Sequence, residues 1–363
     1  MHLYLHIPFC HHLCPYCGFY KHTPGNLANR DFVDAILTEA ERRGASSLAP
    51  RTVYLGGGTP SLLSPTLLER LLRGLAERFD LLQVAEYTME ANPATYDLEK
   101  AQLMRELGVD RISLGVQSFQ ASVLQTLGRD HSPDEAIAAF ETLREAGFRN
   151  LSLDLMFSIP GQDLVLWQAD LDQALALAPE HFSAYNLTYE EDTVFFQSLL
   201  KGEMTEDPQR NNEMFFLAHQ LLSEGGFTHY ETSNYARPGH HSIHNQGYWQ
   251  SENYLGLGPS AVSTIGHLRS KNVADTAKYV DMIRSIGHSG IEVEELSAEA
   301  RRIEQIAMGL RTTDGISTGL LDQAGQHRSR ILADHGLLVF EDQRVVLTTK
   351  GSALVDAIAG EIA

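Results

Sequence analysis

Residues 3–18 read LYLHIPFCHHLCPYCG, and they hold all of the chain's cysteines: Cys10, Cys14 and Cys17. An apolar run, Leu3–Ile7, leads directly into a C-x3-C-x2-C spacing, and the rest of the 363 residues contain no cysteine. A disulfide framework needs an even, dispersed set in an oxidising compartment, so this group reads as a ligand set. Two kinds of site suit it. Three thiolates can hold a four-iron cluster with one iron left open to a substrate, because ordinary electron-carrying clusters take four cysteines. A Cys3His zinc site is the alternative, with His6, His11, His12 and His22 close by.

Outward from this stretch, short apolar, β-branched runs recur. Strands are expected near Leu3–Ile7, Thr52–Leu55, Glu86–Glu90, Arg111–Val116, Leu151–Phe157 and Phe182–Leu187. Between them Asp31–Arg43, Pro65–Arg78, Leu98–Leu107, Pro133–Ala146 and Leu164–Leu177 repeat apolar residues at three- and four-residue steps, as helices do. Ser64 before Pro65 and Ser132 before Pro133 supply cap-like starts. Alternating strands and helices predict a parallel sheet. Six units are too few for a closed eight-fold barrel, so the expected fold is α/β, an open partial (β/α)6 barrel over residues 1–200.

The rhythm then changes. Residues 201–290 hold one long helix, Thr205–Glu224, and a Gly-, Asn-, Tyr- and His-rich stretch, Gly225–Ser270, expected as loops and short strands. Residues 291–363 read as helix Ala298–Leu310, helix Ser329–His335, a hairpin of Leu337–Phe340 and Arg344–Leu347, and a last helix Ser352–Ile358. That order resembles a winged-helix-like α+β domain.

Composition bounds the function. A hydrophobic content of 43% supports a real core, while 28 basic against 47 acidic residues give a net charge of −19. Such a surface argues against nucleic acid as the main partner. The start, MHLYLHIPFCHH, lacks a signal-peptide pattern, and no run approaches the roughly 18 apolar residues of a membrane helix. The cytoplasm is the expected compartment. A peripheral membrane contact and a homodimer are both compatible with this chain.

Loops at the carboxyl ends of barrel strands build active sites, and the chemistry-bearing residues fall there. The cysteine loop follows the first strand. Gly56-Gly57-Gly58-Thr59-Pro60 follows the second, and glycines there allow bare backbone to approach a ligand. Glu90 ends the third strand in EANP, Gln117 the fourth in GVQSF, and Asp154 interrupts the fifth in LSLDLMF. A buried carboxylate is costly unless paired, so successive strands carrying such groups point to a polar ligand. Arg129, in GRDH, is suited to a carboxylate partner.

With Tyr16 before the third cysteine, the spacing resembles the radical S-adenosylmethionine (SAM) signature. GGGTP, EANP, GVQSF and GRDH in this order, with GLRTTDGI and TTKG in the tail, resemble the branch that contains oxygen-independent coproporphyrinogen III dehydrogenase and the haem chaperone HemW. The resemblance covers nearly the whole chain. It implies a [4Fe–4S] cluster on Cys10, Cys14 and Cys17, whose open iron chelates SAM and delivers the electron that cleaves it. It also implies that Tyr4, Tyr16, Gly57, Gly58, Thr59, Glu90, Gln117, Arg129 and Asp154 line SAM sites, one or two in number. His6 either reaches SAM or packs in its strand.

Two departures from the dehydrogenase pattern point to the chaperone side. The dehydrogenase carries a further cysteine two residues after the third, where this chain has Phe19. It also carries an amino-terminal extension, for which a strand starting next to Met1 leaves no expected room. Residues 244–249, HNQGYW, fit the H-N-x-x-Y-W pattern associated with haem in that branch. His244 is the implied haem ligand, Tyr248 and Trp249 suit a porphyrin face, His229, His240 and His241 are alternative ligands, and Arg237 suits a propionate. The expected function is haem carriage to apo-haemoproteins such as respiratory enzymes. Radical decarboxylation of coproporphyrinogen III, or radical chemistry on another substrate, are the alternatives.

Overall fold

The computed structural model describes residues 1–25, 29–44 and 48–363. Six strands pair side by side in chain order, all parallel: β1 (His2–Ile7), β2 (Thr52–Gly57), β3 (Glu86–Ala91), β4 (Arg111–Gln117), β5 (Leu151–Phe157) and β6 (His181–Asn186). Helices Asn29–Arg42, Pro65–Ala76, Leu98–Glu106, Pro133–Glu145 and Leu164–Ala176 connect them. Ser64 accepts from Leu67 N, and Ser132 closes a capping box with Glu135, so both predicted starts are real caps.

Strand alternation sorts the residues. Leu3, Leu5 and Ile7, Val53 and Leu55, Met89, Ile112 and Leu114, and Leu151 and Leu153 are buried together in the main core. The alternate positions face the other way and are polar: His2, Tyr4 and His6, Thr52 and Tyr54, Glu86, Thr88 and Glu90, Arg111 and Ser113, Ser152 and Asp154. The barrel thus buries its apolar face against helices and lines its interior with hydrogen-bonding groups. This polar interior positions the site.

The stretch expected as loops and short strands extends the sheet on both flanks. β7 (Thr228–Glu231) and β8 (Asn234–Ala236) add antiparallel strands beside β6. β9 (Tyr254–Leu257) pairs parallel with β1, followed by antiparallel β10 (Val262–Ile265), β11 (Leu268–Asn272) and β12 (Gly290–Glu295). The twelve strands run from β12 to β7 without joining at the edges, so the barrel is open.

The carboxyl-terminal segment has its own apolar cluster, including Ile306, Leu310, Ile316, Leu338, Val345 and Ile358. Its sheet orders β13 (Ile316–Ser317), β15 (Arg344–Leu347) and β14 (Leu338–Glu341). The hairpin turns through Asp342 and Gln343, both at positive φ. Its second helix, Gln323–Asp334, begins six residues before the expected Ser329, because Asp322 caps a start hidden in polar sequence. Thr232 N donates to Arg311 O and Thr313 N to Tyr230 O, tying this segment to the barrel. No helix among the described residues is long and apolar enough to cross a membrane.

Candidate functional site

The cysteine loop is held by backbone. Cys10 N donates to His22 O at 3.1 Å, His22 N to Pro8 O at 2.8 Å, and Phe195 N to Pro15 O at 3.2 Å. All three thiols are free; Cys10 is buried and the other two are partly exposed. Burial pushes the Cys10 thiol up, while a hydrogen bond from Thr59 opposes that shift.

A polar path joins two of the sulfurs. Thr59 Oγ1 donates to Cys10 Sγ at 3.7 Å, and Asn92 Nδ2 donates to Thr59 Oγ1 at 3.1 Å. Arg129 Nη2 donates to Asn92 Oδ1 at 2.9 Å and to Gly115 O at 2.7 Å, and Arg129 Nη1 donates to Cys14 Sγ at 3.7 Å. Donors aimed at sulfur favour the thiolate form that binds metal. Within the protein, Arg129 thus meets a sulfur, an amide oxygen and a backbone carbonyl. Tyr16 packs on Phe195, with ring centroids 6.1 Å apart.

The glycines after β2 have a steric reason. Gly57 has φ +107°, and a Cβ there would lie 2.6 Å from the His6 ring. A Cβ at Gly58 would lie 2.7 Å from Phe9 O, where Gly58 N itself donates to Ile7 O at 2.7 Å. The second strand end is thus pressed against the root of the cysteine loop.

Deeper in the barrel, Glu90 accepts from Tyr54 Oη at 2.8 Å and Gly57 N at 3.1 Å. Burial pushes its carboxyl up to about 7, against the pull of the Tyr54 hydrogen bond. Asp154 accepts from Ser113 Oγ at 2.9 Å and Ser152 Oγ at 3.1 Å, and burial raises it too. Tyr4 Oη donates to His6 Nδ1 at 3.0 Å, and His6 Nε2 donates to Tyr20 O at 2.8 Å. His6 is thereby satisfied within the protein. Gln117 ends β4 at φ +68°, where the ladder to β5 shifts register. Such a conformation is unusual outside glycine and clusters at functional sites.

HNQGYW lies at the opposite end of the same strands. It forms a seven-residue helix, Ile243–Trp249, capped by Ser242, whereas the sequence reading placed it in a loop. Glu86 accepts from Ile243 N at 2.8 Å and His244 N at 3.1 Å. His244 is 1% exposed, and both its ring nitrogens are taken. Its Nδ1 meets Thr52 Oγ1 at 2.7 Å, and its Nε2 meets Tyr248 Oη at 3.1 Å. The expected haem ligand is therefore a buried, doubly hydrogen-bonded ring, pushed down to about 3 by burial. The alternative histidines have partners of their own. His229 stacks on Tyr235 at 4.4 Å, His241 stacks on Tyr230 at 4.2 Å, and His240 Nδ1 is 3.4 Å from Asn150 Oδ1. Arg237 lies over the Phe227 ring.

Residues 4–172 match the model of the radical SAM superfamily. The haem chaperone HemW of Bacillus subtilis is 36% identical over 98% of this chain and 97% of its own length. That of Lactococcus lactis is 33% identical over 97% of this chain and 94% of its own length. The chain belongs to the radical SAM superfamily, in the HemW family. The solved coproporphyrinogen III oxidase (HemN) from Escherichia coli, a radical SAM enzyme, superposes with a TM-score of 0.87 over 99% of this chain and 89% of its own. At 23% identity that likeness speaks for the fold.

The residues present suit the cofactors that a radical SAM protein holds. Three soft thiols on one loop, with donors aimed at two of them, are a donor set for an iron–sulfur cluster. Among the described residues, no three His, Cys, Asp or Glu side chains gather as a single-ion site. Asn92, Tyr54, Ser113 and Ser152 went unassigned in the sequence. Tyr54, Ser113 and Ser152 follow from strand alternation, since each lies on the same face as Glu90 or Asp154. Asn92 lies beyond its strand's end, and only the fold brings it between Thr59 and Arg129.

Proposed function

We propose that this protein binds haem and passes it to apo-haemoproteins, and that it carries a SAM-binding [4Fe–4S] cluster on Cys10, Cys14 and Cys17. The observation that carries the reading is the match, over nearly the full length of both chains, to proteins named haem chaperone HemW. When bound, the cluster supplies one-electron chemistry to SAM. Thr59 and Arg129 hold charge on the sulfurs, and Gly57 and Gly58 leave the backbone bare toward the ligand. Tyr4, Tyr16, Gln117, Glu90 and Asp154 would complete the SAM surface, with the two carboxylates as its acceptors. Respiratory haemoproteins in the cytoplasm or at a membrane face are the recipients in this reading, with a homodimer as a compatible form.

The likeness to HemN's fold favours coproporphyrinogen III decarboxylation as a second reading. Against it stands Phe19, 70% exposed where the dehydrogenase pattern has its further cysteine. One preparation separates them. Cluster-reconstituted protein is given SAM, reductant and coproporphyrinogen III anaerobically, then titrated with haem. Stoichiometric haem binding without protoporphyrinogen formation is expected. Turnover of coproporphyrinogen would favour the dehydrogenase.

A further inference from the structure

Resting on the SAM-binding reading, we propose that Asp170 is a positioning residue for SAM. It fixes the backbone turn that carries Gln117, and it anchors that turn to the loop after β5.

Asp170 stands where a core residue is expected. Helix Leu164–Ala176 buries Trp167, Leu171 and Ala174, and Asp170 lies fully buried beside them. A carboxylate in such a place is costly unless its oxygens are bonded. Burial pushes it up to about 6, against the pull of its hydrogen bonds, so at neutral pH it is ionised and only accepts. Ser118 Oγ donates to both its oxygens, at 3.0 and 2.8 Å, and Phe119 N donates at 2.6 Å. Gln120 Nε2 and Gln162 Nε2 reach it at 3.3 and 3.5 Å. An apolar side chain would suit the core and leave these donors without their acceptor.

What the carboxylate holds is strained. Gln117 has φ +68°, and Ser118 N donates to Val116 O at 2.9 Å, closing a three-residue turn around it. The positive-φ form of that turn is rare, and such backbone persists only where its surroundings over-determine it. Here the next residues do so. Ser118, Phe119 and Gln120 all donate to Asp170, and Gln120 N donates to Ser118 Oγ at 3.0 Å.

The neighbouring strand supplies the anchor. Ser158 follows β5 at φ +64°. Behind it, Gln162 Oε1 accepts from Ile159 N at 3.3 Å, while its Nε2 donates to Met156 O and to Asp170. Asp170 thus joins the loops that follow β4 and β5. Among the described residues it makes no hydrogen bond to the Gln117 side chain, so its effect on a ligand passes through the backbone turn. A turn ordered in advance spares the ligand that ordering cost.

The test titrates SAM into the full, cluster-reconstituted chain as wild type, Asp170→Asn, Gln117→Ala and the double variant, with circular dichroism and iron content verified. Asp170→Asn puts an N–H donor where Ser118 Oγ and Gln162 Nε2 aim their own. The expected loss of SAM affinity is roughly tenfold, as for a buried donor left unpaired. Iron content stays at wild type, and the peptide spanning residues 116–121 exchanges its amide hydrogens faster in the SAM-free protein. Independent effects multiply, whereas residues that act through one another do not. The double variant is therefore expected to bind SAM as Gln117→Ala does. Ser118→Ala cuts the same link without touching the helix, with a loss of roughly threefold expected. Wild-type SAM affinity in folded Asp170→Asn overturns the proposal; should that variant not fold, wild-type affinity in Ser118→Ala does so. Losses that multiply in the double variant overturn the route through Gln117. Wild type that binds no SAM fails the SAM reading itself, and this role falls with it.

Discussion

The two ends of the barrel are built from similar residues and behave differently. At the carboxyl ends of the strands, sulfurs accept long contacts from Thr59 and Arg129, Arg129 Nε is buried without a partner, and Gln117 is strained. At the amino ends, ~17 Å away along β1, His2, Thr52, His244 and Tyr248 use up one another's donors and acceptors. Spare valence and strain leave the rim with groups able to take a further partner. At the floor, the ring nitrogens of both histidines already have partners within the protein. The motif most suggestive in sequence thus lies at the quieter end.

The largest expected effect is at the rim. Cys14→Ser or Cys17→Ser should abolish the iron–sulfur absorption after anaerobic reconstitution, whereas the floor variant Thr52→Val should retain it. Full absorption in the cysteine variants would remove the distinction. Next is Arg129→Met, which strips donors from Cys14 and Asn92. Loss of partners to metal ligands costs roughly ten- to a hundredfold in metal affinity. Iron retention after a chelator challenge reads this directly.

Glu90 sharpens the comparison through pH. Its folded value, about 7, lies above its ordinary 4.5. The native state therefore holds a proton that the unfolded chain releases, and stability falls as pH rises from about 4.5 to about 7, then levels. The span is about 2 kcal/mol once the carboxylate's partial exposure is allowed for. Urea unfolding of the SAM-free protein across that range should show the slope, and Glu90→Gln should flatten it. An equal slope in both proteins would place the titration elsewhere. The smallest effect belongs to the floor. Tyr248→Phe removes one buried hydrogen bond and should cost about 1 kcal/mol in the same unfolding assay, with SAM binding unchanged.

Much of the rim was legible because its elements are long and its residues end strands. The strand runs of β3, β4 and β5 carry Glu90, Gln117 and Asp154 within the sequence itself, and Ser64 and Ser132 mark two of the helix starts between strands. The flanking strands were not legible: β8 has three residues and β7, β9 and β10 have four, too short for a period to emerge. The HNQGYW helix has seven residues, too few for a helical period to emerge, so it read as a loop. Asn92 depended on tertiary contact alone. A pattern reports which residues recur, while the hydrogen-bond partners that saturate a histidine come from strands far away in the chain.

The most direct measurement follows haem from this protein to an acceptor. Haem-loaded, cluster-reconstituted protein is mixed with an apo-haemoprotein of the respiratory chain and both visible spectra are followed. The account predicts that haem absorption leaves this protein and appears as the holo-acceptor's spectrum, without coproporphyrinogen consumption in a parallel reaction. Haem that stays in place, beside turnover of coproporphyrinogen, would contradict it.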